Sequence, residues 1–439
     1  NLVEYNIPLY FNYNYANVSM NSLKYSNTVS INLLIALIIP FLILGPFFPD
    51  LIVSVSALFF IYHVFKKKIF YYFYNKPFII FITFCIIAIV CSFFAEDILF
   101  SLKSSLFYFR IGVFACFVWY LIDNDKSILK YFYYALVFCF TALVIDGYFQ
   151  YFTKENIFGM KIIGNRVSSF FGDELIMGSY LSRLFPLLFA LFLVKVKKNK
   201  LEIYFIGGLF ILVDVLIYMS GERTAFFFLN LSTIFIIILI KKYQKFRLFT
   251  FIIALIFIVI LSLNLSDVTD RMIKTPAKNM GLIKSLSEPV IFTRVHDSHI
   301  RTAYNMFKDR FILGHGPKSF RVKCLDPKYS QDEVSCSTHP HNFYIQLLAE
   351  TGIIGFLFLF SALVYVIYTT LRQFNSIIFR QKRPLTDYQV CLLAGILITV
   401  WPLTTNGNFF NNWLMIVYSL PVGFYLQSIY SKKIIKKDL

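Results

Sequence analysis

Charge is scarce in this sequence. Asp, Glu, Lys and Arg make up 15% of its 439 residues, against about 25% in a soluble domain, which excludes a water-soluble enzyme. The 58% hydrophobic content likewise excludes disordered and collagenous classes. Acid is scarcer still, 24 Asp+Glu against 42 Lys+Arg, for a formal net charge of +18. That excess would suggest nucleic acid in a soluble protein, but in a membrane chain it reports topology, and no nucleic-acid partner is expected. No CxxC or HExxH pattern occurs, so neither a metal nor a cofactor is expected.

What is abundant is long apolar runs. Runs of about 17 to 20 apolar residues cross a ~30 Å hydrocarbon core as helices, which alone satisfy their backbone within one segment. Twelve such spans are predicted, near 31–47, 50–66, 77–94, 105–122, 128–147, 176–194, 201–219, 224–240, 249–265, 352–370, 388–405 and 411–429. Only the Pro46–Asp50 turn separates the first two. The fold class is therefore all-α and polytopic. No internal repeat divides the chain into related halves.

Basic residues resist translocation and so mark one side of the membrane. They crowd alternate loops: Lys66 to Lys68 and Lys76; Lys126 and Lys130; Lys195, Lys197, Lys198 and Lys200; Lys241, Lys242, Lys245 and Arg247; Arg372, Arg380, Lys382 and Arg383; and the tail Lys432, Lys433, Lys436 and Lys437. The intervening short loops hold little beyond Lys103 and Arg223. Both termini are thus expected in the cytoplasm. The first 30 residues lack the basic start of a signal peptide, so the first span is expected to stay in the protein. The organisation reads as an N-terminal tail with nine spans over 1–265, a large outward loop over 266–351, and three spans with a basic tail over 352–439. A second outward segment covers 148–175. Long loops in compact folds usually carry function.

Five cysteines lie in apolar spans, where a thiol is a small hydrophobe, whereas Cys324 and Cys336 share the large loop. In an oxidising compartment that spacing can form a disulfide; the alternative is two unrelated thiols.

Ionisable groups inside a bilayer line a cavity or pair. Arg110 and Arg183 lie roughly 8–11 Å below the outer edge by helical rise, and Asp146 and Asp214 are comparably shallow, which suggests a polar cavity opening outward. The alternative is snorkelling arginines with structural aspartate partners. The sharpest local signal is Thr338 to Gly352, which runs into the tenth span and places His341 beside the stripe Asn342, Gln346 and Glu350. An imidazole near its ordinary pKa of about 6.5 can accept a hydroxyl proton; His341 is the candidate base and His339 the second. Ser220-Gly221-Glu222-Arg223-Thr224 forms a short outward turn. Its Arg223 offers forked donors suited to pyrophosphate, with Arg166, Arg294 and Arg301 as further candidates, unless Arg223 merely anchors the interface or pairs with Glu222. Asp123-Asn124-Asp125 is read as a cytoplasmic helix cap, and Gly314-His315-Gly316-Pro317-Lys318-Ser319 as an incomplete P-loop look-alike.

These pieces together resemble the O-antigen ligase and O-antigen polymerase superfamily of bacterial inner membranes. The resemblance rests on the His341–Gly355 stretch, the Ser220–Thr224 turn, Arg166 to Gly172 followed by Met177 to Leu181, and Met306 to Pro317. Asp173-Glu174 departs from the family's Pro-Asn, and the tryptophan usual before Met306 is absent, so the loop arginine is either Arg294 or Arg301, with Arg294 favoured. The resemblance implies a GT-C-like, metal-independent, inverting glycosyltransferase of the ligase type. It would take a polysaccharide from undecaprenyl pyrophosphate to a lipid A–core hydroxyl at the periplasmic face. A polymerase adding the glycan to another glycan would use the same donor. In that frame His341, Arg223 and Arg294 are catalytic, and Arg166, Arg183, Arg110, Arg301, Asn342, Gln346, Glu350 and His339 bind substrate. A twelve-span transporter or flippase is the rival class; it would place charges near the midplane and show two related halves.

Overall fold

In a computed structural model that describes residues 31–195, 198–264, 266–279 and 292–434, the chain is an all-α polytopic membrane protein. Among the described residues there is no strand beyond two isolated bridges, Glu155↔Lys161 and Ile163↔Arg166. The N-terminal tail, Lys197, and the tail residues Lys436 and Lys437 lie outside the described residues.

Each of the twelve apolar runs is helical. In chain order they are α1 (Ile31–Leu44), α2 (Phe47–Lys67), α3 (Lys76–Ser92), α4 (Ile98–Asn124), α5 (Ser127–Thr153), α6 (Met177–Val194), α7 (Lys200–Met219), α8 (Arg223–Leu239) and α9 (Gln244–Asn264). Among the described residues the longest helix of the large loop is α10 (Arg294–Asp309), followed by α11 (Phe343–Ile378), α12 (Asp387–Thr399) and α13 (Asn412–Ser431). Eight of the apolar helices are long enough to cross a membrane, while α1, α3, α8 and α12 are shorter. The centre of the bundle is α6, whose Leu184, Phe185, Leu187, Leu188 and Phe189 are all fully buried against α5, α7, α8 and α12.

Several boundaries differ from the sequence reading for physical reasons. The break between α1 and α2 falls at Gly45, with φ +122°, and Pro46 immediately precedes α2, so Pro49 and Asp50 are helical rather than a turn. The eleventh span stops at Thr399 instead of 405, leaving 400–411 largely unwound; Pro402 lacks an N–H, and Asn406-Gly407-Asn408 favours turns. Arg247 is not a loop residue. It sits inside α9, fully buried, and donates to Asp214 at 2.8 and 3.0 Å and to Thr233 at 2.7 Å. Asp214 therefore belongs to a buried ion pair rather than to an outward cavity, and losing either partner would strand a charge in a dry interior.

The most consequential break lies within α11. Gly352 adopts φ +63° and ψ −167°, so the carbonyls of Ala349 and Glu350 lose their usual partners four residues on. The Gly314-His315-Gly316 turn takes their place: His315 N donates to Ala349 O at 3.0 Å and Gly316 N to Glu350 O at 2.8 Å. A Cβ at Gly352 would lie 2.1 Å from Ile312 O, and one at Gly314 would lie 2.6 Å from the Glu350 carbonyl carbon. The P-loop look-alike is thus a backbone clamp. Gly352→Ala is expected to cost upwards of about 1–3 kcal/mol from backbone conformation alone, read as a lowered thermal midpoint in detergent. An unchanged midpoint would contradict the clamp.

Candidate active site

The clamp fixes the start of α11, where Asn342 caps the helix by accepting from the N–H groups of Tyr344 and Ile345. Asn342 Nδ2 donates to Pro402 O and Thr404 O. One turn on, Gln346 donates to Glu350 and to Asn408 Oδ1 at 3.0 Å and accepts from Phe409 N at 2.8 Å. Glu350 also accepts from Phe320 N. All three are buried. The predicted polar stripe therefore turns inward and binds loop backbone, so its described bonds position the site rather than open onto it.

Just before the cap, His341 has φ +57°, a left-handed conformation uncommon for a residue with a side chain. Its carbonyl accepts from Asn406 N at 2.7 Å, and Ser337 Oγ lies 3.2 Å from its Nε2. His339 Nε2 donates to Asn406 O at 3.2 Å. The His341 ring centroid is 4.1 Å from His339, 4.8 Å from His296 and 5.4 Å from His299. Four of the six histidines thus form one cluster. His296 and His299 escaped the sequence reading, although their i, i+3 spacing puts both on one face of α10. Burial, then the neighbouring imidazoles, holds His341 down to about 3; burial above all holds His339 to about 4, and it lowers His296 and His299 too. All four are neutral at pH 7, the state in which an imidazole accepts a proton.

The Ser220–Arg223 turn gathers arginines. Arg166 Nε donates to Ser220 O at 3.2 Å and its NH2 to Leu175 O at 3.0 Å. Arg271, which the sequence gave no reason to select, donates Nε to Gly221 O at 2.9 Å. Arg223 begins α8 beside Arg271 and interacts electrostatically with both Arg271 and His296. Glu222 does not neutralise Arg223 through an ion pair. Its carboxylate accepts from Gly178 N at 2.6 Å, Ser179 N at 2.9 Å and Ser179 Oγ at 2.8 Å, favourably placed at the positive end of α6. Among the described residues Arg166, Arg223 and Arg271 have no ion-pair partner. Three guanidiniums around one turn are the donor set an anion would need, with the Glu222 carboxylate the nearest charge of opposite sign to Arg166.

The 400–411 segment ties the two clusters together. Thr224 and Thr405 hydroxyls lie 2.9 Å apart, so the neighbours of Arg223 and Asn406 are joined, and Asn406 in turn holds both His339 and His341. Arg183 approaches from α6: its NH2 donates to Asn406 Oδ1 at 3.3 Å, and its guanidinium lies 4.7 Å from the Phe228 ring and 4.6 Å from the Tyr418 ring. The other nominated arginines stand apart in their described contacts. Arg110 pairs with Asp50 at 2.6 Å, the exposed Arg301 pairs with Asp297 at 2.7 Å, and the exposed Arg294 has Asp332 as its charged neighbour. Cys324 and Cys336 are joined by a disulfide that braces the loop under α10.

Residues 207–360 match the family model described as O-antigen ligase. The match covers about a third of the chain and supports the O-antigen ligase superfamily. No curated protein matches the chain. The match takes in Arg223, Arg271, the four clustered histidines and the disulfide, whereas Arg166, Arg183 and Asn406 complete the site from outside it. The matched family is glycosyltransferase-like, and the apolar helices around the match make this a membrane protein.

Proposed function

We propose that the protein transfers a polysaccharide from undecaprenyl pyrophosphate to a lipid A–core hydroxyl, as a ligase acting at the periplasmic face of the inner membrane. The observation that carries this is the junction, through Thr405 and Asn406, of a neutral imidazole cluster with three guanidiniums that have no ion-pair partner among the described residues. The acceptor oxygen attacks the anomeric carbon, its proton passes to His341, and the bond from that carbon to the phosphate oxygen breaks with inversion. Arg166, Arg223 and Arg271 offset the charge arriving on the departing pyrophosphate. Those groups account for both the base and the charge stabilisation, so no metal is assigned a role. The loop disulfide fits an oxidising compartment, and the basic loops on the opposite side fit a cytoplasmic location.

The test uses the full chain in nanodiscs with undecaprenyl-pyrophosphate-linked polysaccharide and a lipid A–core acceptor. Glycan should appear on the core only when both are present. Donor-to-donor chain growth without core would assign a polymerase instead, and no product under either condition would sink the reading.

A further inference from the structure

The segment between α5 and α6 contains a tight turn whose tip is apolar and exposed. Ile157 is 59%, Phe158 74%, Met160 40% and Ile163 45% exposed. An exposed loop ordinarily leaves backbone donors to water. Here five consecutive N–H groups have protein acceptors instead: Asn156 N gives to Met160 O, Ile157 N to Asp146 Oδ1, Phe158 N and Met160 N to Asn156 Oδ1, and Gly159 N to Asn156 O, all within 3.0 Å. From behind, the buried Gln150 donates to Met160 O. Apolar side chains outside and satisfied donors inside are what a hydrocarbon solvent demands.

The surroundings agree. The turn continues the outward apolar face of α5, where Ile145, Phe149 and Phe152 are 60%, 44% and 76% exposed on a helix of membrane-crossing length. Lys154 and Lys161 flank the tip; Lys161 lies 3.8 Å from Glu155, and Lys154 lies over the Tyr151 ring, the arrangement expected at headgroup level. We infer that residues 155–163 form a finger whose apolar tip, Ile157 to Met160, enters the acyl chains of the leaflet on the large-loop side while Glu155 and Lys161 stay at headgroup level. Its partner is the bilayer itself. The chain leaving it reaches Arg166 three residues on, so insertion sets the arginine cluster at the depth where a lipid-borne phosphate lies, a consequence that rests on the proposed function.

The experiment places a nitroxide on Phe158→Cys in phosphatidylcholine nanodiscs; the five free native cysteines are buried and the other two are disulfide-bonded. Labels on Ile163→Cys and, as a lipid-facing reference, Ile145→Cys accompany it. Oxygen should relax the 158 label severalfold more than the water-soluble nickel chelate does, as at 145. Dominant relaxation by the nickel chelate at both 158 and 163 would overturn the finger. Lipid contact in a protein that transfers no glycan would uphold the finger and reject the proposed function, so the two fail separately.

Discussion

Replacing His341 by alanine is expected to lower glycan transfer by about 10²–10⁴-fold, the range for a lost general base, with the protein still inserted and the Cys324–Cys336 disulfide intact. Because His341 has φ +57°, His341→Asn is the sharper test: asparagine tolerates that backbone yet cannot take the proton. Both variants should fail alike. Recovery of activity in the asparagine variant would assign the histidine a conformational role only. The pH dependence follows from burial. A base held near 3 is neutral above that value and becomes protonated only as pH falls through it. Transfer should therefore remain level from pH 8 to about 5, where an imidazole of ordinary pKa near 6.5 would lose most of its activity. A decline centred at 6.5 would show that the cluster is wetter than its geometry implies.

Arg223→Ala is expected to lower kcat by about 10²–10³-fold, the scale for removing one group that stabilises developing charge. Arg223→Lys should restore little, because an ammonium cannot reproduce the forked donors. Arg271→Ala should weaken transfer less, since its Nε is already engaged with Gly221 O at 2.9 Å. The Arg223→Ala, Arg271→Ala double variant should fall short of the product of the single losses, because both act on one anion. Full activity in Arg223→Ala, measured on donor consumption, would remove the turn from the mechanism.

The twelve helices were legible because apolar length is a local property of the chain. Their ends were less so. Pro402 and Asn406-Gly407-Asn408 are local cues to the unwinding of 400–411, but its anchoring by Asn342 and Gln346, some sixty residues earlier, is not a local property of the chain. His341 and Arg223 stood out through their positions at outward helix starts. Arg271 and Asn406 did not, because their roles arise from long-range hydrogen bonds to Gly221 and His341. Arg247 illustrates the reverse error. Its sequence neighbours are basic and exposed, but Asp214, Thr233 and Thr250 supply a polar pocket within the bundle. Of the stripe Asn342, Gln346 and Glu350, only the last two lie on the helix, with Asn342 its cap, and periodicity cannot tell a face turned toward a hollow from one turned toward protein.

Asn406 lies 46 residues beyond the end of the matched domain at 360. A fragment confined to 207–360 keeps the imidazoles and two of the three guanidiniums but loses the peptide that registers them against one another. Grafting the matched segment onto foreign helices would therefore transplant reagents without their alignment, and any working hybrid must inherit the link between the last two helices from the same parent.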